Sequence, residues 1–179
     1  MNHNDHFHLL KEGVPTRGGV WADLGSGDGA FTLALADLLG PEGVIYSVDK
    51  DRGPLREQER AMRSHFPSTT VHYLTADFTR PLDLPALDGI VMANSLHYVR
   101  DKDPMLRLVR GYLRPGGRLV LVEYNADSGN PWVPYPLSYQ TWEVVAGRNG
   151  FVGTRLLAKV PSRFLREIYS AVSLLAVNE

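Results

Sequence analysis

The chain has 179 residues, a formal net charge of −1 at pH 7 and no cysteine. This length favours one domain with a substantial core. The near-neutral charge gives no electrostatic basis for a nucleic-acid or anionic membrane partner. Without cysteine there are no disulfides, thiolate zinc sites or cysteine nucleophiles. We find neither a signal-peptide pattern at the start nor an apolar stretch near the roughly 20 residues that cross a bilayer, so we expect a cytoplasmic protein.

Strands and helices alternate along the first two thirds of the sequence. An apolar strand at Val20–Leu24 enters a glycine turn, and an apolar helix follows at Ala30–Leu39. A second strand at 44–48 ends at Asp49, and Pro54 opens a polar outer helix. The further predicted elements are strands at 71–74, 89–93 and 118–124, with a helix at 104–113 between the last two.

The composition changes after the fifth strand. Residues 125–139 form a loop rich in proline and aromatics, followed by a helix at 139–148 and strand-like runs at 155–160 and 168–177. Because no helical crossover separates these two runs, we expect an antiparallel hairpin at one edge of the sheet. The order predicts a doubly wound α/β fold with a mostly parallel seven-stranded sheet and helices on both faces. We expect a single domain over residues 1–179, with an N-terminal segment (1–19), a binding core (20–124) and a lid loop, helix and hairpin (125–179).

The glycine turn ADLGSGDGAF lies at the carboxyl end of the first strand, where open α/β sheets bind ligands. Gly25 and Gly27 carry no side chains, so a ligand can approach the backbone closely. Asp23 and Asp28 bring negative charge to the same turn, which disfavours a pyrophosphate and favours a ligand with an ammonium and a sulfonium group.

The same turn allows a second interpretation. Gly25, Gly27 and Ala30 also satisfy the dinucleotide fingerprint, and Asp49 follows at about the position of a ribose-binding acid. An NAD(P)-dependent oxidoreductase is therefore an alternative at this point, because a glycine match alone has low specificity.

Five segments in order resemble the motifs of class I S-adenosylmethionine-dependent methyltransferases of the small-molecule type. They are VWADLGSGDGAFTLALA, VDKD, TADFT, GIVMANSLHYV and LRPGGRLVLVEY, which together extend from Val20 to Tyr124. The resemblance implies a Rossmann-like fold and methyl transfer by in-line displacement to a small-molecule acceptor. A non-catalytic S-adenosylmethionine-binding subunit is a further alternative, because no base is certain.

The resemblance implies S-adenosyl-L-methionine as the cofactor, with S-adenosyl-L-homocysteine as the product. Asp23 would orient the glycine loop or reach the methionine ammonium, directly or through water. Asp49 would bind the ribose hydroxyls and Asp77 the adenine amino group. The full set of implied cofactor contacts is Asp23, Gly25, Ser26, Gly27, Asp49, Lys50, Asp77, Phe78, Asn94, Ser95 and Leu96.

Candidate catalytic residues follow the fourth strand. His97 and Tyr98 should face the cleft, and a histidine near neutral pH suits a general base where the acceptor loses a proton. A structural histidine lining the pocket is an equal alternative. The segment Asn94 to His97 lacks the Pro-Pro-aromatic turn of enzymes that methylate amino groups of DNA and some proteins, which argues against that chemistry.

Acceptor contacts are expected at the end of the fifth strand and in the loop that follows it. Glu123 and Tyr124 end the strand, and Trp132 and Tyr135 in the loop are the predicted lid residues. Glu123 has an alternative as a satisfied strand-end carboxylate. Trp142, on the following helix, is expected in the core.

The first residues contain three histidines, His3, His6 and His8, but no accompanying metal-binding motif, so we expect a flexible terminus and no metal. If this segment is instead a helix over the cofactor, Phe7 and Leu10 would anchor it. Because the segment before the first strand is short, the site would be open or completed by a second subunit, which makes a homodimer one expectation.

Overall fold

The structure, a computed structural model, describes residues 1–177. The helices are α1 (His3–Leu10), α2 (Ala30–Leu39), α3 (Arg52–His65), α4 (Lys102–Tyr112) and α5 (Tyr139–Arg148). The strands are β1 (Gly19–Leu24), β2 (Gly43–Asp49), β3 (Thr70–Thr75), β4 (Leu87–Ala93), β5 (Leu113–Tyr124), β6 (Phe151–Pro161) and β7 (Glu167–Leu175). A short 3-10 turn, Leu96–Tyr98, follows β4.

All seven strands form one sheet in the order β3-β2-β1-β4-β5-β7-β6. The first five strands pair in parallel, whereas β7 is antiparallel to both β5 and β6. The predicted doubly wound α/β fold and its C-terminal hairpin are confirmed. The strand order reverses between β1 and β4, and their carboxyl ends therefore border the crevice where such sheets bind ligands.

Apolar side chains fill both faces of the sheet. On one face, α1 and α2 pack through Leu9, Leu10 and Leu35 against the sheet. On the other, α4 and α5 pack through Leu106 and Trp142, and the complete burial of Trp142 confirms its expected place in the core. The strands of the parallel part are apolar on both sides because both faces are covered.

The bounds of β5 and β6 differ most from the prediction. β5 begins at Leu113, which pairs with Leu87, and the RPGG segment lies inside the strand as an irregularity rather than before it. β6 begins at Phe151 and contains two register shifts, which conceal the period-two pattern of its first residues.

The N-terminal segment is a helix, and the expected flexible terminus is wrong. Asn2 and Asp5 form a capping box, and Leu9 and Leu10 are fully buried. Phe7 is half-buried, so Leu9 rather than Phe7 accompanies Leu10 as the anchor. The His6 ring lies 4.6 Å from the Phe31 ring of α2. Burial against this ring lowers the pKa of His6.

Within residues 1–177, no helix combines the length and apolar character needed to span a bilayer. Across the same residues, no three potential metal-ligating side chains are grouped together.

Candidate functional site

The glycine turn after β1 is held by the neighbouring strand. The backbone N–H groups of Gly25 and Ser26 both donate to the carbonyl oxygen of Val48, at 2.9 and 3.0 Å. The N–H group of Gly27 donates to Oδ2 of Asp49 at 2.8 Å. Three consecutive donors of the turn are therefore already bonded to β2 and its terminal carboxylate.

This arrangement removes the main support for the dinucleotide alternative. A pyrophosphate binds such a turn through free backbone N–H groups at a helix N-terminus. Here the donors of residues 25–27 are engaged, and that of Gly27 is bonded to the Asp49 carboxylate. An anionic ligand would therefore meet a carboxylate instead of donors, whereas a cationic ligand would be attracted.

Gly25 and Gly27 are glycines for different structural reasons. Gly25 has a φ of 79°, and a Cβ there would lie 2.5 Å from the Cβ of Ser95. Gly27 has a φ of 54°, but a Cβ there would meet open space. Gly25 thus permits β1 and β4 to end side by side, and Gly27 leaves the outer surface of the turn bare.

Ser26 points its side chain into the protein, and only its backbone borders the turn. Its Oγ accepts hydrogen bonds from Ser47 Oγ at 2.7 Å and Gln58 Nε2 at 3.3 Å. Gln58 comes from α3, is fully buried and lies against Gly29. The sequence reasoning missed this support for the turn. Its only signal is the position of Gln58 between the apolar residues Leu55 and Met62.

Asp23 is a buried carboxylate beneath the turn. It is 1% exposed, and Oδ2 accepts a hydrogen bond from Thr32 Oγ1 at 2.7 Å. Burial raises the pKa of Asp23 to about 7, and the nearby Asp49 charge acts in the same direction. Within residues 1–177, Oδ1 has no hydrogen-bond partner. Such an oxygen is suited to an ammonium group or a water that the protein itself does not supply.

A carboxylate held by its own turn lies at the end of β2 (Asp49) and another lies two residues after β3 (Asp77). Asp49 Oδ1 accepts a hydrogen bond from the N–H group of Asp51 at 2.9 Å. Asp77 Oδ1 accepts from both the N–H and hydroxyl groups of Thr79, and these hydrogen bonds lower the pKa of Asp77. Lys50 is exposed and its charge contributes to the same lowering. Phe78 is half-buried and extends to Gly25.

The end of β4 joins this carboxylate edge to a second region. Ser95 Oγ donates to the carbonyl of Leu24 at 2.7 Å, which ties β4 to β1. Asn94 has a left-handed backbone with a φ of 52°, and its buried Oδ1 has no partner within residues 1–177. Leu96 is fully buried in the core, so only its backbone is open to the role of a cofactor contact.

His97 and Glu123 form a buried pair at the ends of β4 and β5. His97 Nδ1 lies 2.8 Å from Glu123 Oε1, and the His97 N–H group donates to Oε2 at 3.2 Å. The N–H group of Tyr124 also donates to Glu123 Oε1 at 2.9 Å. Because Glu123 is fully buried behind His97, the structure places it as a partner of the imidazole and not at the acceptor surface.

This pairing defines what the imidazole can do. The carboxylate accepts the Nδ1 proton, which selects the tautomer in which Nε2 is the free basic nitrogen. The tautomer follows from the hydrogen-bond pattern, as in the carboxylate–histidine pairs of many enzymes. Nε2 is then the atom able to accept a proton from a molecule beside His97.

A cavity of about 250 Å³ lies beside this imidazole. Residues that line it are Asn94, His97, Tyr98, Tyr124, Trp132 and Phe164. Tyr98 is 62% exposed, with its ring 4.3 Å from that of His97, and Trp132 is 69% exposed, edge-on to Phe164. Phe164, in the β6–β7 turn, was missed by the sequence reasoning. Its only signal is an aromatic residue in a hairpin turn, which alone indicates nothing.

The loop between β5 and α5 is a fixed wall of this cavity. Val133 and Leu137 are buried, and the N–H group of Tyr135 donates to the His97 carbonyl at 3.0 Å. The Tyr135 side chain is half-exposed, and the backbone of this residue makes the contacts with the His97 turn. Of the two predicted lid residues, Trp132 is the one that lines the cavity with its side chain.

Comparison with known proteins gives a consistent match. A family model described as a methyltransferase domain matches residues 22–119. The chain is 32% identical over 111 residues to the ubiquinone/menaquinone biosynthesis C-methyltransferase UbiE of Pasteurella multocida, a match that covers 61% of this chain and 41% of that enzyme. The chain thus spans less than half the length of that relative.

Solved structures share the fold at low sequence identity. A SAM-dependent methyltransferase from Aquifex aeolicus aligns with a TM-score of 0.75 at 19% identity, covering 96% of this chain and 90% of that one. The CurJ carbon methyltransferase aligns with a TM-score of 0.73 at 22% identity, covering 90% of this chain and 50% of the other. At these identities the structures support the fold alone.

Proposed function

Because the chain belongs to the methyltransferase-domain family, we propose that it transfers a methyl group from S-adenosylmethionine to a small-molecule acceptor. The family membership confirms the resemblance indicated by the five motifs. The observation that carries the proposal is the adjacency of two features. A bare glycine turn among three carboxylates lies directly beside a cavity in which a carboxylate-held histidine has a free nitrogen.

The carboxylate edge supports a cationic nucleoside as the cofactor. The two oxygens of Asp49 each accept one backbone N–H, which orients the carboxylate and leaves lone pairs for the ribose hydroxyls. Asp77 is oriented by Thr79 through Oδ1, so Oδ2 would accept a hydrogen bond from the adenine amino group. Asp23 would receive the methionine ammonium, directly or through water, at its unpartnered Oδ1.

The other cofactor contacts rest on position alone. The methionine part would pass over Gly25, Ser26 and Gly27, whose outer surface is bare. Phe78 would pack against the adenine and the stem of Lys50 would cover its other side. Asn94 and Ser95 would lie beside the methyl-bearing end, because Ser95 lies against Gly25 of the turn and Asn94 lines the cavity.

We propose carbon as the methylated atom. When bound, the cofactor supplies an electrophilic methyl group on a sulfonium. His97 Nε2 would take the proton from an acidic C–H group of the acceptor, and the electron pair left on that carbon would form the new bond to the methyl group. The C–S bond would break with its electrons going to sulfur, which yields a neutral thioether. The match to curated relatives named as C-methyltransferases supports this choice.

Calorimetry with S-adenosylhomocysteine and with NAD tests the cofactor assignment. We expect binding of the sulfur nucleoside and none of NAD, and the opposite result would contradict the proposal. Asp49→Ala should weaken S-adenosylhomocysteine at least about tenfold, because a carboxylate–hydroxyl pair contributes about 1.5–3 kcal/mol. Asp83→Ala, at an exposed position before β4, is the matched control and should bind as the wild type does.

A screen of small molecules with a labelled methyl donor tests catalysis. Transfer to an acceptor that His97→Ala abolishes, with nucleoside binding retained, would support a catalytic enzyme with His97 as base. Binding without transfer to any acceptor would instead favour the non-catalytic subunit. The homodimer stays a prediction, and light scattering at several protein concentrations tests it.

A further inference from the structure

A buried ammonium connects the His97 turn to the wall of the acceptor cavity. Lys102, the first residue of α4, is 8% exposed, although lysine is rarely buried without partners. Its Nζ donates to the carbonyl of Val99 at 2.7 Å and to that of Tyr135 at 2.9 Å. Burial lowers the pKa of the Lys102 ammonium, while the Glu123 carboxylate opposes that shift, so the two charges lie close enough to interact.

These hydrogen bonds complete a hydrogen-bonded ring around His97, the proposed base. The Tyr135 N–H group donates to the His97 carbonyl, the Tyr135 carbonyl accepts from Lys102, and Lys102 also binds Val99, two residues after His97. Glu123 thus holds the imidazole, while Lys102 and Tyr135 hold the backbone that carries it. The cavity wall at Trp132 lies in the same loop and three residues before Tyr135.

We propose that Lys102 is a positioning residue for methyl transfer, which fixes the separation between the His97 imidazole and the Trp132 wall by joining the carbonyls of Val99 and Tyr135. This inference rests on the proposed function, because it assigns Lys102 a role in placing the proposed base. Val133 and Leu137 anchor the loop independently through burial. Loss of the ammonium should therefore shift the wall and the base without releasing the whole loop.

Lys102→Met keeps the length of the stem and removes all three donors. Displacement of a catalytic group by about 1 Å costs up to about 100-fold in rate, so we expect kcat for the screened acceptor to fall about 10- to 100-fold. The Kd of S-adenosylhomocysteine should stay within about twofold of the wild type, because its proposed carboxylates lie on the other side of β4. Lys102→Arg, which can reach both carbonyls, should restore most of the turnover.

Hydrogen exchange followed by NMR tests the proposal without an acceptor. Exchange of the Tyr135 amide, which donates to His97, should accelerate about tenfold or more in Lys102→Met relative to the Val120 amide in the central sheet. Arg107→Met, on an exposed face of the same helix, is the matched control and should leave both amides unchanged.

Unchanged Tyr135 protection in Lys102→Met would overturn the proposal, as would turnover at the wild-type level. If Lys102→Met fails to fold, Lys102→Gln retains donors but is too short to bridge both carbonyls, and the same exchange comparison decides. Failure of the wild type to bind S-adenosylhomocysteine would overturn the proposed function instead. The exchange result would still report on the hydrogen-bonded ring around His97. Failure of the Lys102 proposal and failure of the proposed function are therefore distinguishable.

Discussion

Replacing Asp23 by asparagine should change how the stability of the protein depends on pH. Burial raises the pKa of Asp23 from its ordinary value of 3.8 to about 7 in the folded protein. The protonated carboxyl therefore favours the folded state. Its stabilising contribution is complete below pH 4 and declines as pH rises towards 7, because the unfolded chain releases this proton first. Above pH 7 both states are ionised and the contribution becomes constant.

The size of this effect follows from the difference between the two pKa values. Each pKa unit corresponds to about 1.4 kcal/mol. Most of the interval between the unfolded and folded pKa values of Asp23 lies between pH 5 and pH 8. The free energy of unfolding of the wild type should therefore fall by about 2–3 kcal/mol across this range relative to Asp23→Asn. For a chain of this size, that difference is about 5–10 °C in Tm.

Chemical denaturation of both proteins at pH 5, 6, 7 and 8 measures this difference. The asparagine amide oxygen can still accept from Thr32, and any fixed cost of its buried amide cancels because only the pH dependence is compared. Thr32→Val removes a hydrogen bond that favours the ionised carboxylate, so this variant should lose more stability than the wild type as pH rises. A wild-type-minus-asparagine difference that stays constant from pH 5 to 8 would refute the reasoning.

Three further changes test other parts of the site. Gly25→Ala places a Cβ at a φ of 79° and 2.5 Å from a side-chain carbon, so denaturation should detect a loss of about 1–3 kcal/mol, whereas Gly53→Ala, with open space around it, should lose none. Glu123→Gln should lower kcat about 100- to 10,000-fold, since the tautomer of the base is no longer selected, with unchanged nucleoside binding by calorimetry. Phe164→Ala should raise the acceptor KM and leave nucleoside binding unaltered, because this ring lines the acceptor cavity and is not one of the proposed cofactor contacts. An equal loss of nucleoside affinity would contradict that separation.

The sequence contains the information that places the carboxylate edge. One apolar strand ends at Asp49 and another ends just before Asp77. This pattern alone specifies which side chains reach the carboxyl edge of a parallel sheet. The pattern does not specify which of these side chains face inward. Glu123 was correctly placed at the end of β5, but its pairing with His97 depends on how the turn after β4 folds back over that strand.

Residues that support the site from a distance were not predictable. Gln58 and Lys102 are polar residues on amphipathic helices, and such residues usually face solvent. Their burial depends on contacts with segments 30 or more residues away, which local periodicity does not encode. Phe164 reaches the cavity only because the β6–β7 turn meets the end of β5 in three dimensions.

The Ser95–Leu24 hydrogen bond marks a boundary between a donor half, whose proposed contacts extend from Asp23 to Ser95, and an acceptor half built largely from later chain. Segments 125–138 and 161–167 contribute the aromatic walls of the acceptor cavity. Apart from the hydrogen bonds through Tyr135, they make few contacts with the carboxylate edge. Chimeras that import these two segments from another family member should therefore change the acceptor of the proposed methyl transfer while the donor half stays intact. Lys102 would have to be kept in such chimeras, because the imported loop needs the ammonium that binds its backbone carbonyl at position 135.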